Sequence, residues 1–84
     1  MGGRGAASGL GSPKHFSIPK VTGAQLKAMG RKQLESMATA IFANKSVKAG
    51  LSQAEGVRRA KALLDGNTDT QLRKYISKHG KEFW

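Results

Sequence analysis

The stretch SQAEGVRRAKALLDGNTDTQLRKYISKHG, from Ser52 to Gly80, predicts two short helices joined by a tight turn. In its first half Val57, Ala60 and Leu64 recur at helical spacing, which predicts that they are buried. The second half has the i, i+3, i+4, i+7 spacing in four residues: Leu72, Tyr75, Ile76 and His79. Gly80 then follows as a predicted left-handed cap. The two apolar stripes therefore indicate helices that share a core.

Working outward, three segments have the spacing of a capping box, in which a hydroxyl and a Glu or Gln side chain exchange hydrogen bonds with backbone N–H groups. They are Thr22–Gln25, Ser52–Glu55 and Thr68–Gln71. Gly30 with Gln33 predicts a further helix start, and Ala49–Gly50 predicts a stop. The predicted helices are therefore a short one at about 23–29, a long one that starts after Gly30 and includes RKQLESMATAIFANK, and two more at about 53–64 and 69–79. In the long helix one apolar stripe is predicted: Leu34, Met37, Ala38, Ile41 and Phe42. The fold class is all-α: a small bundle of three main helices plus a short leading helix.

Residues 1–20 have a different composition, with five glycines, both prolines and no helical or strand period. We expect a flexible arm here and a helical domain at 21–84. The arm is basic, because it carries Arg4, Lys14 and Lys20 and no acid. Its only large apolar residues after Leu10 are Phe16 and Ile18, and the sequence leaves open whether they dock on the domain.

Charge is the strongest compositional signal, with 15 Lys or Arg against 5 Asp or Glu and a formal net charge of +10 over 84 residues. Self-repulsion of this size opposes folding and favours an anionic partner: nucleic acid, an acidic membrane or an acidic protein. The chain has no cysteine, and its two histidines, His15 and His79, lie far apart. We therefore expect no catalytic residue, no metal site and no cofactor. With no long apolar run, we expect a soluble, intracellular protein with no membrane partner.

The last two helices direct their cations away from the apolar stripes. The predicted nucleic-acid-binding residues are Arg58, Arg59, Thr70, Arg73, Lys74, Ser77 and Lys78, with Lys45 and Lys48 in the loop that flanks them. Arg4, Lys14 and Lys20 add the flexible arm. At helical spacing such groups can bind phosphates, and the alternative is an ordinary solvated face.

The same stretch partly matches a helix-turn-helix, which reads bases with its second helix. Ala62, Gly66, Leu72 and Tyr75 fit the pattern, whereas Lys61, Asp65 and Asn67 do not. In this hypothesis Thr70, Arg73, Lys74 and Ser77 meet DNA. A simple helical hairpin would give the same spacing.

Two aromatic residues, Phe83 and Trp84, stand at the end of the sequence. They are predicted either to fold back over the bundle or to contact a partner. Tyr75 and Trp84 are the candidates for stacking on bases. For Tyr75, packing in the core is favoured.

The opening MGGRGAASG resembles the start of many small proteins of tailed phages and prophages of Gram-positive bacteria, and GLSQAEGVRRAKALLDGNTDTQLRKYISKHG is similar to their C-terminal helical part. The resemblance implies a phage or prophage context among morphogenesis or host-takeover genes, and therefore the cytoplasm of a bacterial host or a virion. It implies no functional residue.

The leading hypothesis is thus a non-catalytic basic protein that binds nucleic acid through phosphate contacts. The alternative is a protein-interaction module: a virion accessory or assembly protein, or an inhibitor of a host nucleic-acid enzyme. A membrane-surface peptide is disfavoured because the apolar stripes are used in a common core. The sequence leaves open the oligomeric state, sequence specificity and the choice among DNA, RNA and protein.

Overall fold

The computed structural model describes residues 15–84 and confirms the all-α fold class. Its elements are α1 (Gly23–Ala28), α2 (Arg31–Lys48), α3 (Gln53–Asp65), α4 (Asp69–His79) and a C-terminal 3-10 turn (Gly80–Phe83). No strand occurs within these residues. The starts of all four α-helices and the ends of α1, α3 and α4 therefore agree with the prediction to within a residue, whereas α2 continues through Lys45 and Lys48.

The helix starts are set by local capping. Thr22 and Gln25 form a full capping box, with bonds of 3.1 and 2.8 Å, and Thr68–Gln71 repeats it at the start of α4. Ser52 forms half of the predicted box: its hydroxyl accepts from the N–H of Glu55 at 3.1 Å, but the Glu55 side chain turns to arginines instead. Gly50, which follows α2, has a positive φ of 100° that suits glycine.

Helix α2 is the centre of the bundle, because α3 and α4 both pack against it. Its apolar face supplies Leu34, Met37, Ala38 and Ile41 to the core, and α4 supplies Leu72 and Ile76. Leu26 of α1 completes the core from the side of α4. The predicted stripes of α2 and α4 are therefore the faces that meet.

Helix α3 packs on α2 through small residues. Gly56 lies so close that a Cβ there would be 2.9 Å from the Ala43 Cα and 3.0 Å from the Ser46 Cβ. Gly56 and Ala60 are buried, whereas Val57 is 38% exposed, so the prediction that Val57 is buried is wrong. Ala60 is buried as predicted and Leu64 is half-buried against the core, so only the first position of the stripe changes, from Val57 to Gly56.

The end of α4 also differs from expectation. Gly80 has φ −60° and ψ −30°, so it is a right-handed helical residue and not a left-handed cap. The chain continues into the 3-10 turn, where Phe83 packs against the core. A Cβ at Gly80 would lie 2.9 Å from Cζ2 of Trp84. Glycine is therefore needed here to make room for an indole.

Two of the residues that the sequence assigned to the flexible arm, Phe16 and Ile18, are attached to the bundle. Ile18 is buried in the core. The Phe16 N–H donates to Asn44 Oδ1 at 2.7 Å, and Asn44 Nδ2 donates to the Phe16 carbonyl at 3.0 Å. The folded part therefore begins before the predicted boundary at residue 21. The rest of the predicted arm, including Arg4 and Lys14, lies outside the described residues.

Candidate nucleic-acid interface

The two arginines of α3 are bound to an acid on their own helix. Arg58 donates to both oxygens of Glu55 at 2.7 Å, and Arg59 Nε donates to one of them at 2.8 Å. These bonds lower the pKa of Glu55 to about 2. Since one carboxylate offsets part of both charges, this face attracts phosphate less than its two arginines alone would.

The predicted loop lysines are bound in a similar way. Lys45 Nζ lies 2.8 Å from Glu82 Oε2, and Lys48 Nζ lies 3.6 Å from Glu82 Oε1. The hydrogen bond from Lys45 is the main cause that lowers the pKa of Glu82. These contacts tie the C-terminal 3-10 turn to the end of α2. Lys45 and Lys48 lie in the last turn of that helix, so the prediction that they lie in a loop is wrong.

Arg31 holds the α3–α4 connection, a role that the sequence did not reveal. Its guanidinium donates to the carbonyls of Leu64 (2.7 Å) and Asn67 (3.0 Å) and to Asp69 Oδ1 (2.9 Å). Glu35 accepts from its Nε at 2.9 Å. Only the Glu35 bond is visible in sequence as an i, i+4 pair. The others join residues more than thirty positions apart, so the fold alone brings them together.

Arg73, a predicted phosphate-binding residue, fastens α1 to α4. Its Nε donates to the Leu26 carbonyl at 3.3 Å and its terminal nitrogen donates to the Met29 carbonyl at 3.1 Å. The Leu26 carbonyl also accepts from the N–H of Met29 at 3.2 Å, and the Met29 carbonyl lies just beyond the last residue of α1. The guanidinium is therefore partly engaged within the molecule.

Between α1 and α4 lies a cavity of about 290 Å³ that we call the α1–α4 groove. It is lined by Gly23, Leu26 and Lys27 from α1 and by Thr70, Arg73, Lys74 and Ser77 from α4. All four residues predicted to meet DNA in the helix-turn-helix hypothesis thus share one groove. Lys27 is the residue that the sequence analysis missed, because nothing local indicates that α1 lies beside α4.

The cations at this groove differ from those of α3 in their surroundings. Lys27, Lys74 and Lys78 are exposed, and within residues 15–84 no carboxylate forms a salt bridge with any of them. Lys74 and Lys78 are four residues apart and so lie on one face of α4. The groove therefore has a rim of exposed, uncompensated lysines.

The α3–α4 pair does not have the packing of a helix-turn-helix. Both helices pack against α2 and make little contact with each other. Ala62, where the pattern needs a buried small residue, is exposed, and Gly66 has φ −95°, which any residue can adopt. The stretch is a helical hairpin whose two arms lie on a third helix.

A second cavity, of about 420 Å³, lies where residues 15–18 meet the C-terminus, and we call it the C-terminal cleft. Its lining is His15–Ile18, Asn44, Lys48 and Glu82–Trp84. The rings of His15 and Phe83 meet edge to face with centroids 6.0 Å apart, and Lys48 Nζ lies 5.5 Å from the Phe83 centroid. The fold thus joins the two aromatic residues predicted to contact a partner with one predicted phosphate-binding lysine.

Tyr75 is half-buried, as the core prediction favoured, and its ring lies 4.5 Å from that of His79. Its hydroxyl is buried without a hydrogen-bond partner among the described residues. Burial raises the pKa of Tyr75 to about 12. The group is therefore a neutral phenol over the whole physiological range.

Within residues 15–84, no three His, Cys, Asp or Glu side chains come together as a metal site would require. No helix in this part of the chain combines the length and the apolar character needed to cross a bilayer. Comparison of the chain with protein families, curated proteins and solved structures finds no match. Function is therefore inferred from the α1–α4 groove and the C-terminal cleft.

Proposed function

We propose that this is a non-catalytic nucleic-acid-binding protein that contacts phosphates through the rim of the α1–α4 groove. The observation that carries the proposal is that lysines without an acid partner meet two hydroxyl groups along one groove, whereas the other unpaired lysines of residues 15–84 do not line it. Four of the five acids, Glu35, Glu55, Asp69 and Glu82, form salt bridges, and none of them is with Lys27, Lys74 or Lys78. These lysines therefore keep their full attraction for an anion.

The size of the charge excess supports an external partner. Residues 15–84 contain thirteen Lys or Arg, and only five of them take part in salt bridges there. The remaining cations repel one another in the isolated protein. A polyanion that releases its own counterions on binding relieves this repulsion, and nucleic acid has one charge per ~1.7 Å of duplex axis.

The groove rim has the groups that phosphate binding needs. Lys74 and Lys78 are one helical turn apart, about 6 Å between Cβ atoms, so that they reach different phosphates. The hydroxyls of Thr70 and Ser77 lie on the same face of α4 and can donate to phosphate oxygens. Lys27 adds a cation from α1 on the opposite side of the groove.

The expected mode is sequence-independent. Specific readout relies on bidentate side chains such as arginine that reach base edges. Here the guanidinium of Arg73 is bonded to the carbonyls of α1, and the α3–α4 pair lacks helix-turn-helix packing. Phosphate contacts alone position a protein without specifying a sequence.

The test compares two double variants that remove the same net charge. The affinity of the full chain for a short DNA duplex is measured by fluorescence anisotropy from about 50 to 200 mM salt, where the logarithm of affinity falls linearly with that of salt concentration. For Lys74→Gln with Lys78→Gln we expect the slope to fall by about two units. Arg58→Gln with Arg59→Gln should reduce it less, because Glu55 already offsets these charges.

Equal losses in the two double variants would contradict the assignment of the surface. Absence of binding at about 50 mM salt would contradict nucleic-acid binding itself, since the electrostatic attraction is strongest there. That second result would favour the protein-interaction alternative. The phage or prophage context stays a prediction based on the resemblance of the sequence.

A further inference from the structure

The C-terminal cleft presents aromatic rings to solvent in a way that the core does not require. Among residues 15–84 three large hydrophobic residues are exposed, Phe16, Val57 and Trp84, each at 38%. Single exposed apolar residues are ordinary on protein surfaces. Two of these three, however, line the same cavity.

The position of Phe16 is fixed through its backbone. Asn44 is fully buried and uses both ends of its amide on the N–H and the carbonyl of Phe16. Two residues on, Ile18 is anchored in the core. The exposed ring of Phe16 is therefore held at the cleft by a bonded and anchored segment.

Trp84 is held from the other end of the chain. Its indole lies over Gly80, where a Cβ would be 2.9 Å from Cζ2 and 3.1 Å from Cε2. The preceding residue, Phe83, packs against the core. Trp84 is thus a partly exposed ring on an ordered support.

The charges of the cleft favour an anion. Lys48 lines it, and Lys45 lies beside it on the same carboxylate, so two cations face the single acid Glu82. The Lys48 side chain is 53% exposed, and its 3.6 Å contact with Glu82 is long. Lys48 therefore remains accessible to a second anionic group.

A ligand that offers both a flat ring and a negative charge fits these features, and we propose that the C-terminal cleft binds an unpaired nucleotide of single-stranded nucleic acid. The base stacks on Trp84 or Phe16, and Lys48 binds the adjoining phosphate. Exposed aromatic rings beside cations are the usual means of binding single strands. In a duplex the ring faces are hidden in the stack, so that a paired base offers no such surface.

This inference rests on the proposed function, and it adds a preference for single strands. Trp84 is the only tryptophan of the chain, so its fluorescence reports on the cleft directly. The experiment titrates the full chain with an oligothymidylate single strand and with a hairpin duplex of equal nucleotide length, at one salt concentration. We expect the single strand to quench the fluorescence of Trp84 and to bind more tightly than the duplex. The duplex should cause no quenching.

The variants separate stacking from charge, with affinity measured by anisotropy of labelled DNA. Trp84→Leu should weaken single-strand binding by about tenfold, within the range known for one stacked base, and leave duplex binding unchanged. Trp84→Phe should restore most of the affinity, because it returns a ring. Val57→Ala removes an equally exposed apolar group outside the cleft and should have no effect.

Gly80→Ala provides a second approach that keeps the tryptophan. The new Cβ would displace the indole, while the helical backbone at residue 80 accepts alanine without strain. We expect an intact fold by circular dichroism, with weaker single-strand binding and less quenching.

Equal affinity for single strand and duplex, with no quenching and no effect of Trp84→Leu, would overturn the inference and leave the proposed function standing. Failure to bind either DNA at low salt would overturn both. A cleft that accepts a protein instead would give no quenching with either DNA and no loss of DNA affinity in Trp84→Leu, which also overturns the inference.

Discussion

Helix α3, which packs on α2, and the groove between α1 and α4 both carry basic residues, but the two regions differ in packing and in electrostatics. Helix α3 contacts α2 closely through Gly56, and the arginines on its exposed side are bonded to Glu55. The second leaves a cavity between the helices, and its lysines have no acid partner in the described part of the chain. The comparison teaches that a few acids, more than the many bases, decide where an anion is attracted.

The largest loss of stability is expected from a change in the close contact between α2 and α3. Gly56→Ala places a Cβ 2.9 Å from the Ala43 backbone, which can yield only if a helix moves. Overpacking costs about 1–3 kcal/mol, while alanine returns up to about 1 kcal/mol of helix preference. We expect a net loss of about 1–2 kcal/mol in urea unfolding.

The matched control for this change is Gly23→Ala, at the start of α1 beside the α1–α4 groove. No atom lies within 4 Å of its added Cβ, so that stability should stay equal or rise slightly. If Gly56→Ala were as stable as Gly23→Ala, the close contact between α2 and α3 would be disproved.

A second change removes a structural cation without touching the groove. Arg31→Met deletes the bonds to Leu64, Asn67 and Asp69, and we expect a clearly lower thermal midpoint. Arg31→Lys should recover little of it, because an ammonium group cannot reproduce the planar fork. Scanning calorimetry checks both.

The same variants sharpen the comparison when DNA affinity is measured. We expect the salt slope of Arg31→Met to change less than that of a groove variant, since the charge of Arg31 is shared with Glu35 and Asp69. A slope reduced as much as in a lysine variant would show that the two sets of cations are not functionally distinct.

The third prediction concerns pH. The pKa of Glu55 is about 2 in the folded protein against 4.5 ordinarily, because Arg58 and Arg59 bind its charged form. Its stabilisation is therefore present above pH 4.5 and is lost as pH falls toward 2. Urea midpoints measured across this window should fall less steeply in Glu55→Gln than in the wild type. Parallel curves would show that the arginines do not hold Glu55 in solution.

The smallest change in stability is expected at Tyr75, which is half-buried against the core. Tyr75→Phe removes a buried hydroxyl that has no partner among the described residues, so no hydrogen bond is lost. We expect equal stability or a gain of up to about 1 kcal/mol. A loss of that size in urea unfolding would instead indicate that the hydroxyl is bonded.

The sequence predicted the helices well because their signals are local. The boxes at Thr22 and Thr68 act over three residues, and the apolar period of α2 and α4 is read within one helix. It failed where the deciding contact is distant or made by glycine. The burial of Gly56 in place of Val57 depends on its contact with Ala43, and the close approach of an indole to Gly80 depends on Trp84.

The candidate site could be predicted only in part for the same reason. Thr70, Lys74 and Ser77 were found from the spacing along α4, and they do line one groove. Nothing local in the sequence indicates that Lys27 lies across from them. Nor does the sequence show which cations the acids take, since Arg31, Lys45 and Lys48 each bind a residue more than thirty positions away.

The most direct test of the central claim is a map of backbone amide chemical-shift changes when a short DNA duplex is added at low salt. We expect the largest shift changes in α1 and α4, at Lys27, Thr70, Lys74 and Ser77. Smaller shift changes are expected at Arg58 and Arg59. Largest changes at Arg58 and Arg59, or none at the groove, would contradict it.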